Sequence, residues 1–338
     1  MKAAFIKEFG DKFVIEETPI PKPGPGELLI KVGSSCLCQA DIKIRKGAMA
    51  HLKLPHIPGH EVAGTVAELG QGVGGFKPGD RIVVYMYQVC RSCPACRSGH
   101  ENLCPKLTRI GFEIPGGHAE YLVIKEDQAI PLPDNISFRE AAAIPDAVCT
   151  SLHALREQAN LKLNDTVVIY GVGGLGMQAV QVAKAMGCKV IGVARTPSKL
   201  KQAEEFGVDF TINAAEEDLV AKVMEYTKGA GADAAVDYVV SNDSLAQAIS
   251  YLRKGGTWVL VGSSQPQITF PVGMVMFKEI AIRGSLGMTR QTMLDAVDLV
   301  SRGVIKPYVT EAYPLDDLNT AAQRLGDGKV LGRSVILF

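Results

Sequence analysis

Residues 166–187 read TVVIYGVGGLGMQAVQVAKAMG, and this stretch decides the fold. Its first five residues form a largely apolar, β-branched run, the composition of a strand buried on both faces. Gly171, Gly173 and Gly176 then follow in G-x-G-x-x-G order, with Val172, Gly174 and Leu175 between them. A helix comes next: Leu175, Ala179, Val182 and Met186 recur at helical spacing, and Gly187 stands where a left-handed cap would end it. Each glycine has a steric task. Gly171 permits a tight turn, Gly173 lets backbone approach a pyrophosphate, and Gly176 lets helix and strand pack closely. The phosphates would rest on the helix N-terminus, against unpaired amides and the positive end of the dipole. A tight turn in some other α/β domain is the competing reading, but the position between strand and helix favours a dinucleotide.

Working outward, five further strands are expected at 189–194, 210–213, 234–239, 257–261 and 279–284, most of them separated by helical segments. Six strands alternating with helices predict an α/β domain with a doubly wound parallel sheet. Upstream, residues 1–87 hold short β-rich pieces broken by Gly and Pro, the pattern of a small β-barrel-type domain. Ser137 and Glu140 stand in capping-box order ahead of a helix. After residue 287 come a helix, irregular pieces and SVILF, which is too short to form a core alone and is expected to return to the first domain.

A chain of 338 residues, 47% hydrophobic, is long enough for two cores. Lys plus Arg equals Asp plus Glu at 36 each, which gives no support to a nucleic-acid or anionic-membrane surface and points to small-molecule partners. The N-terminal residues lack a signal-peptide core and no run reaches membrane-helix length, so a cytoplasmic protein is expected.

Four of the eight cysteines, Cys90, Cys93, Cys96 and Cys104, follow in C-x2-C-x2-C-x7-C order. Four thiolates from one compact loop close a tetrahedral zinc site with no position for substrate, so the role is structural; an iron–sulfur cluster is the rival, with a spacing unlike the ferredoxin patterns. A second set is scattered. Cys38 and Asp41 lie in CQAD, and His60 and Glu61 in PGHEVAGTVAELG. A thiolate, an imidazole and one carboxylate make an open zinc site with a position left for water or substrate oxygen.

The G-H-E of residues 59–61 with Gly64 and Val66, the four-cysteine loop, GGHAEY at 116–121 and GVGGLG together resemble the zinc-dependent medium-chain dehydrogenase/reductase family, the alcohol and polyol dehydrogenases. The resemblance runs over nearly the whole chain. It implies a GroES-like catalytic domain at residues 1–149 and 287–338, with a Rossmann domain inserted at 150–286. It also implies two zinc ions per chain, one structural and one catalytic, and a homodimer or homotetramer. By position, Cys38 and His60 resemble the catalytic zinc ligands, and Glu61 the adjacent carboxylate that can approach the metal. The third ligand should come from AIPDAVCTSLH, where Asp146 takes the ligand position and Cys149, one helical turn on, is the alternative.

The chain departs from the family where many relatives carry a Thr or Ser and a His that relay the alcohol proton. Those positions are Ala40 and Lys43 here, and Gln39, His51, Thr150 or a water held by Glu61 are the substitutes on offer. His118 takes a place that is often aromatic in the family and is read as a loop-packing residue. Cys36 is read as structural.

NAD-binding Rossmann domains place an acid about 20 residues past the glycines to bond the ribose 2′-hydroxyl. In VIGVARTPSKL that place is Ala194, with Arg195 and Lys199 beside it as partners for a 2′-phosphate, so NADP is expected ahead of NAD. Arg333 resembles a family arginine near the pyrophosphate; as a lone cation it could equally lie on the surface. The implied function is a zinc-dependent oxidoreductase moving hydride between an alcohol, aldehyde or ketone and a nicotinamide cofactor. The alternative is a noncatalytic nucleotide-binding sensor or scaffold that has lost the relay. A zinc-free quinone or enoyl reductase conflicts with both metal signatures.

Overall fold

A computed structural model describes residues 1–338. The chain divides into two compact units, one comprising Met1–Asp146, Thr289–Arg302 and Pro307–Phe338, the other Ala147–Met288 and Gly303–Lys306. The insertion at Gly303–Lys306 was not apparent from composition. It follows from a reciprocal pair of hydrogen bonds, Gln181 Nε2 to the Lys306 carbonyl at 3.0 Å and Lys306 N–H to Gln181 Oε1 at 2.9 Å.

The first unit contains strands β1 (Lys2–Phe5), β2 (Val14–Glu17), β3 (Glu27–Leu37), β4 (Glu61–Leu69), β5 (Arg81–Val84), β6 (Tyr87–Gln88), β7 (Thr108–Arg109), β8 (Tyr121–Lys125) and β9 (Ala129–Pro131). The second contains β10 (Thr166–Tyr170), β11 (Lys189–Ala194), β12 (Phe210–Asn213), β13 (Ala232–Asp237), β14 (Leu252–Leu260) and β15 (Ala281–Gly284), and β16 (Val309–Pro314) and β17 (Arg333–Leu337) return to the first.

In the first unit β3 is the spine. One edge pairs antiparallel with β4 along most of its length; on the other, residues 27–31 pair with β8 and residues 34–37 with β17. Two register shifts against β4 bend the strand between these partners, which curls the sheet into the barrel-like shape read from the short strands. Leu28, Ile30, Val62, Val66 and Ile82 fill one core, and Leu37, Ile42, Leu318, Ala321 and Ile336 another. SVILF therefore docks where its shortness required, inside a core built by earlier elements.

The second unit is a six-stranded parallel sheet in the order β12-β11-β10-β13-β14-β15. The strand order reverses between β10 and β13, and in such sheets the carboxyl ends of the strands at this point are the usual place for a ligand. All six strands predicted from sequence are present. β14 starts at Leu252, earlier than its apolar stretch, because Leu252 still pairs with Ala232 across a register shift. β15 starts later than expected because Glu279 (φ +53°) takes a left-handed turn that ends the helix Val272–Lys278. Trp258 and Tyr251 are fully buried in the core of this unit. No helix in the chain is long and apolar enough to cross a membrane.

Candidate active site and cofactor loop

Strand β10 runs into the glycine loop at its carboxyl end. Gly171 adopts φ +98°, a backbone conformation that side chains strain, and Gly171 and Val172 donate to the Val193 carbonyl at 2.9 and 3.2 Å. A Cβ on Gly176 would lie 2.2 Å from the Gly171 carbonyl oxygen, so only glycine lets the helix Gly176–Ala185 begin this close to the turn. A Cβ on Gly173 would meet nothing within 4 Å. Of the three positions it alone faces open space, the condition a phosphate needs to reach the backbone. Gly174 and Leu175 complete the turn into the helix, in which the Met177 and Gln178 N–H groups already donate to the Gly173 and Leu175 carbonyls at 2.8 and 2.9 Å.

At the end of β11, Ala194 is half-buried and Arg195 exposed. Thr196 is the N-cap and Pro197 the first residue of the helix Pro197–Glu205, as the sequence suggested. Lys199 is half-buried and burial lowers its pKa. No acid stands at the end of this strand.

In the first unit, Cys38 follows β3 directly and caps the short helix Gln39–Arg45, while His60 and Glu61 lie at the start of β4, which pairs with β3. Asp146 arrives on a wide π-helical turn, Ile144–Val148. One ligand atom from each of Cys38, His60, Glu61 and Asp146 lies within 4.8 Å of every other. Cys149 is fully buried but is not among the four. Counting one α-helical turn from Asp146 to Cys149 supposes 3.6 residues per turn, and the π turn breaks that spacing.

The Cys38 thiol approaches Asp146 Oδ2 at 3.5 Å, and His60 Nε2 lies 3.7 Å from Glu61 Oε1. Arg333 is buried, not on the surface: its Nη2 pairs with Glu61 Oε1 and lies 3.7 Å from Asp146 Oδ2, and its Nε donates to Cys36 Sγ at 3.3 Å. Burial pushes Glu61 up to about 8 against the pull of Arg333, and lifts the Cys38 thiol, with Asp146 adding to the rise. Burial opposes charge on His60 as well, yet Asp41 and Cys38 hold its pKa well above the ordinary value.

This donor set fits a divalent cation. Three anionic ligands and an imidazole converge in a buried place with Arg333 as the one neighbouring cation, and Glu61 Oε2 has no hydrogen-bond partner. A dication would offset the excess charge that makes such a cluster costly. His60 also has a carboxylate behind it, since Asp41 Oδ1 lies 3.4 Å from its Nδ1, an arrangement that orients a metal-binding imidazole. In the sequence, the spacing of Asp41 to Cys38 is the signal available for this role. The ring of Phe112, 4.8 Å from that of His60, was not foreseen.

Cys90, Cys93, Cys96 and Cys104 form a second group with ligand atoms within the same limit. Backbone N–H groups of Cys93, Cys96 and Cys90 donate at 3.4 Å to the sulfurs of Cys90, Cys93 and Cys104. Bonds from Ser92 and the Cys93 amide bring Cys90 down to about 5, whereas desolvation and sharing with Cys93 and Cys104 push Cys96 up to about 12. Four sulfurs this close cannot all ionise without a cation, and the set fits a closed zinc site.

Comparison with known proteins gives these geometries a context. Residues 24–134 match the model of the alcohol dehydrogenase GroES-like domain and residues 174–302 that of the zinc-binding dehydrogenase domain. An alcohol dehydrogenase of Geobacillus stearothermophilus is 36% identical, over 99% of this chain and 98% of its own. This chain belongs to the zinc-type medium-chain dehydrogenase/reductase family. Within that family, an NAD-dependent alcohol dehydrogenase of Sulfurisphaera tokodaii is 33% identical over the full length of both chains. A solved NAD-dependent alcohol dehydrogenase, 31% identical, superposes with a TM-score of 0.95 and full coverage of both chains. The GroES-like and Rossmann-type domains of this family are both present, and the chain is a zinc-dependent oxidoreductase of the alcohol dehydrogenase type. The noncatalytic sensor or scaffold reading finds no support in these comparisons.

Proposed function

We propose that this protein interconverts an alcohol and its aldehyde or ketone, with zinc held by Cys38, His60, Asp146 and the adjacent Glu61 and with a nicotinamide cofactor on the glycine loop. The observation that carries this reading is the convergence of those four ligand atoms within 4.8 Å. A bound zinc supplies Lewis acidity toward the substrate oxygen. The side chains do the rest: Asp41 orients His60, Arg333 holds Glu61 in place, and the half-buried Phe112 gives the surroundings of His60 an apolar wall. Neither Ala40 nor the exposed Lys43 reproduces the usual relay, so the alcohol proton leaves by another route. The test is elemental analysis with activity. Two zinc ions per chain are expected, and Cys38→Ala or His60→Ala should lose one of them and turnover together; undiminished turnover would refute the assignment.

We read the cofactor as NADP ahead of NAD. Ala194 leaves nothing to repel a 2′-phosphate, and Arg195 and Lys199 stand beside it. The Sulfurisphaera relative is named NAD-dependent, so kcat/KM with both cofactors is decisive, and a preference for NAD would overturn this reading.

The sheet edge supports reading the protein as a homo-oligomer. β15 has β14 as its single neighbour, and the adjacent helix exposes Val272, Met276 and Phe277, the last at 77%. A cytoplasmic location is supported by the four-cysteine loop, whose grouped thiols suit metal binding in a reducing compartment. Size-exclusion chromatography with light scattering tests the first, and fractionation of the producing cell the second.

A further inference from the structure

Behind His60 runs a line of buried polar groups that continues past Asp41. Asp41 is fully buried; its Oδ2 accepts from the Cys38 N–H at 2.8 Å and its Oδ1 from the Gly59 N–H at 3.2 Å. Its two oxygens also face two imidazoles. His60 Nδ1 lies 3.4 Å from Oδ1, and His118 Nε2 lies 3.7 Å from Oδ2. On the far side of His118, Nδ1 is bonded to Ser35 Oγ at 2.9 Å.

His118 is itself fully buried, and its Nε2 has no hydrogen-bond partner, so the carboxylate is the group available to it. An Nε2 facing a carboxylate carries the proton, which leaves Nδ1 to accept from the Ser35 hydroxyl; the hydrogen-bond network assigns this tautomer. The backbone holds the ring in place. His118 N–H donates to the Pro58 carbonyl at 3.0 Å, and Ala4 N–H donates to the His118 carbonyl at 2.8 Å. Gly59 makes the approach possible, because a Cβ there would lie 2.8 Å from His118 Cγ and Nδ1. A residue that only filled this volume would need no nitrogen on either side, yet both nitrogens face polar groups.

We propose that His118 is a positioning residue for the metal centre, acting through Asp41: it braces the carboxylate from the side opposite His60 and so fixes the direction in which His60 presents Nε2. This rests on the zinc-site reading above. His118→Phe keeps a ring and removes both nitrogens; His118→Gln returns an N–H donor toward Asp41. In zinc-loaded protein challenged with a chelator, H118F should release the zinc of the Cys38–His60–Asp146 site about 10–100-fold more readily, the usual effect of losing an outer partner of a metal-bound histidine. The four-cysteine zinc should be released at the wild-type rate, and H118Q should recover part of the difference. Cobalt substitution gives a second readout, with the visible bands of that one site altered in H118F and restored toward wild type in H118Q.

Ser35→Ala removes the outermost bond without touching the ring, and it should release the same zinc several-fold faster, which keeps the inference testable if H118F does not fold. Release from H118F or S35A within twofold of wild type, with two zinc ions bound at the start, would overturn the role of His118 alone. Wild-type protein that carries the four-cysteine zinc and no other would overturn the zinc-site reading, and this inference with it.

Discussion

Gly173 and Gly176 lie three residues apart, yet the structure separates their roles so sharply that one methyl group on each gives opposite results. In Gly176→Ala the new Cβ would sit 2.2 Å from the Gly171 carbonyl oxygen and 2.9 Å from its carbon, where ordinary contact begins near 3.4 Å. Both sides of that contact are backbone, so the helix must back away from the turn by about 1 Å, and overpacking of this kind costs about 1–3 kcal/mol. Alanine's better helix propensity returns up to ~1 kcal/mol in a helix interior and less at a first turn, so a net loss of about 1–2 kcal/mol remains. Gly173→Ala meets nothing within 4 Å, and its stability should stay within about 0.5 kcal/mol of wild type. Its methyl group instead occupies the space a pyrophosphate would use, and dinucleotide affinity should fall at least about tenfold, or ~1.4 kcal/mol. Urea unfolding without cofactor reads the first effect, and titration of the reduced dinucleotide by fluorescence reads the second. Wild-type cofactor affinity in G173A would place the phosphates elsewhere, and a wild-type urea midpoint in G176A would refute the close packing.

Other consequences follow from the buried clusters. Asp146→Ala should lose one zinc while Cys149→Ala keeps both, and the reverse result in elemental analysis would move the third ligand to Cys149. Arg333→Leu removes the guanidinium that pairs with Glu61 and donates to Cys36, so denaturation should show a lower midpoint than wild type; an unchanged midpoint would mean the buried pair adds nothing to stability. Glu311 is held below its ordinary 4.5 first by the Arg324 guanidinium, with Tyr313 Oη–H donating at 2.8 Å and Ser334 Oγ–H at 3.2 Å. A depressed carboxyl stabilises the fold above its unfolded pKa and loses that contribution as pH falls through the folded one. Wild type should therefore exceed Glu311→Gln by about 1 kcal/mol at pH 7, a figure kept small because the site is partly solvated, and the gap should close in acid. A gap unchanged between pH 7 and pH 3 would count against the network.

Much of the Rossmann unit was legible in the sequence because its signals are local. A β-branched run, three glycines with separate steric tasks and a helical period sit in consecutive residues, and the four cysteines lie within one loop. The candidate metal centre was legible only through resemblance, since Cys38 and His60 are joined by the pairing of β3 with β4, Asp146 arrives on a π turn, and none of the three is placed by spacing. What escaped was non-local or angular. The π turn at Ile144–Val148 changes which residues share a face, and no periodicity in AIPDAVCTSLH announces it. Arg333 reads as an ordinary cation until β17 pairs with β3 and sets it against Glu61 and Cys36. His118 reads as a packing residue until the turn at Gly59 brings its ring to Asp41.

The dependence of β3 on β17 also sets an order of events during synthesis. Arg333 meets Glu61 and Cys36 across sequence separations of 272 and 297, so the carboxylate has no guanidinium beside it until nearly all of this chain has been made. The Rossmann insertion, by contrast, is almost complete by residue 288 and can fold as soon as it leaves the ribosome. A nascent chain halted before residue 333 would hold a finished nucleotide fold and an unsealed first unit. The assembly step that closes the metal centre is therefore late, and is where a chaperone or an early arrival of zinc has the most to change.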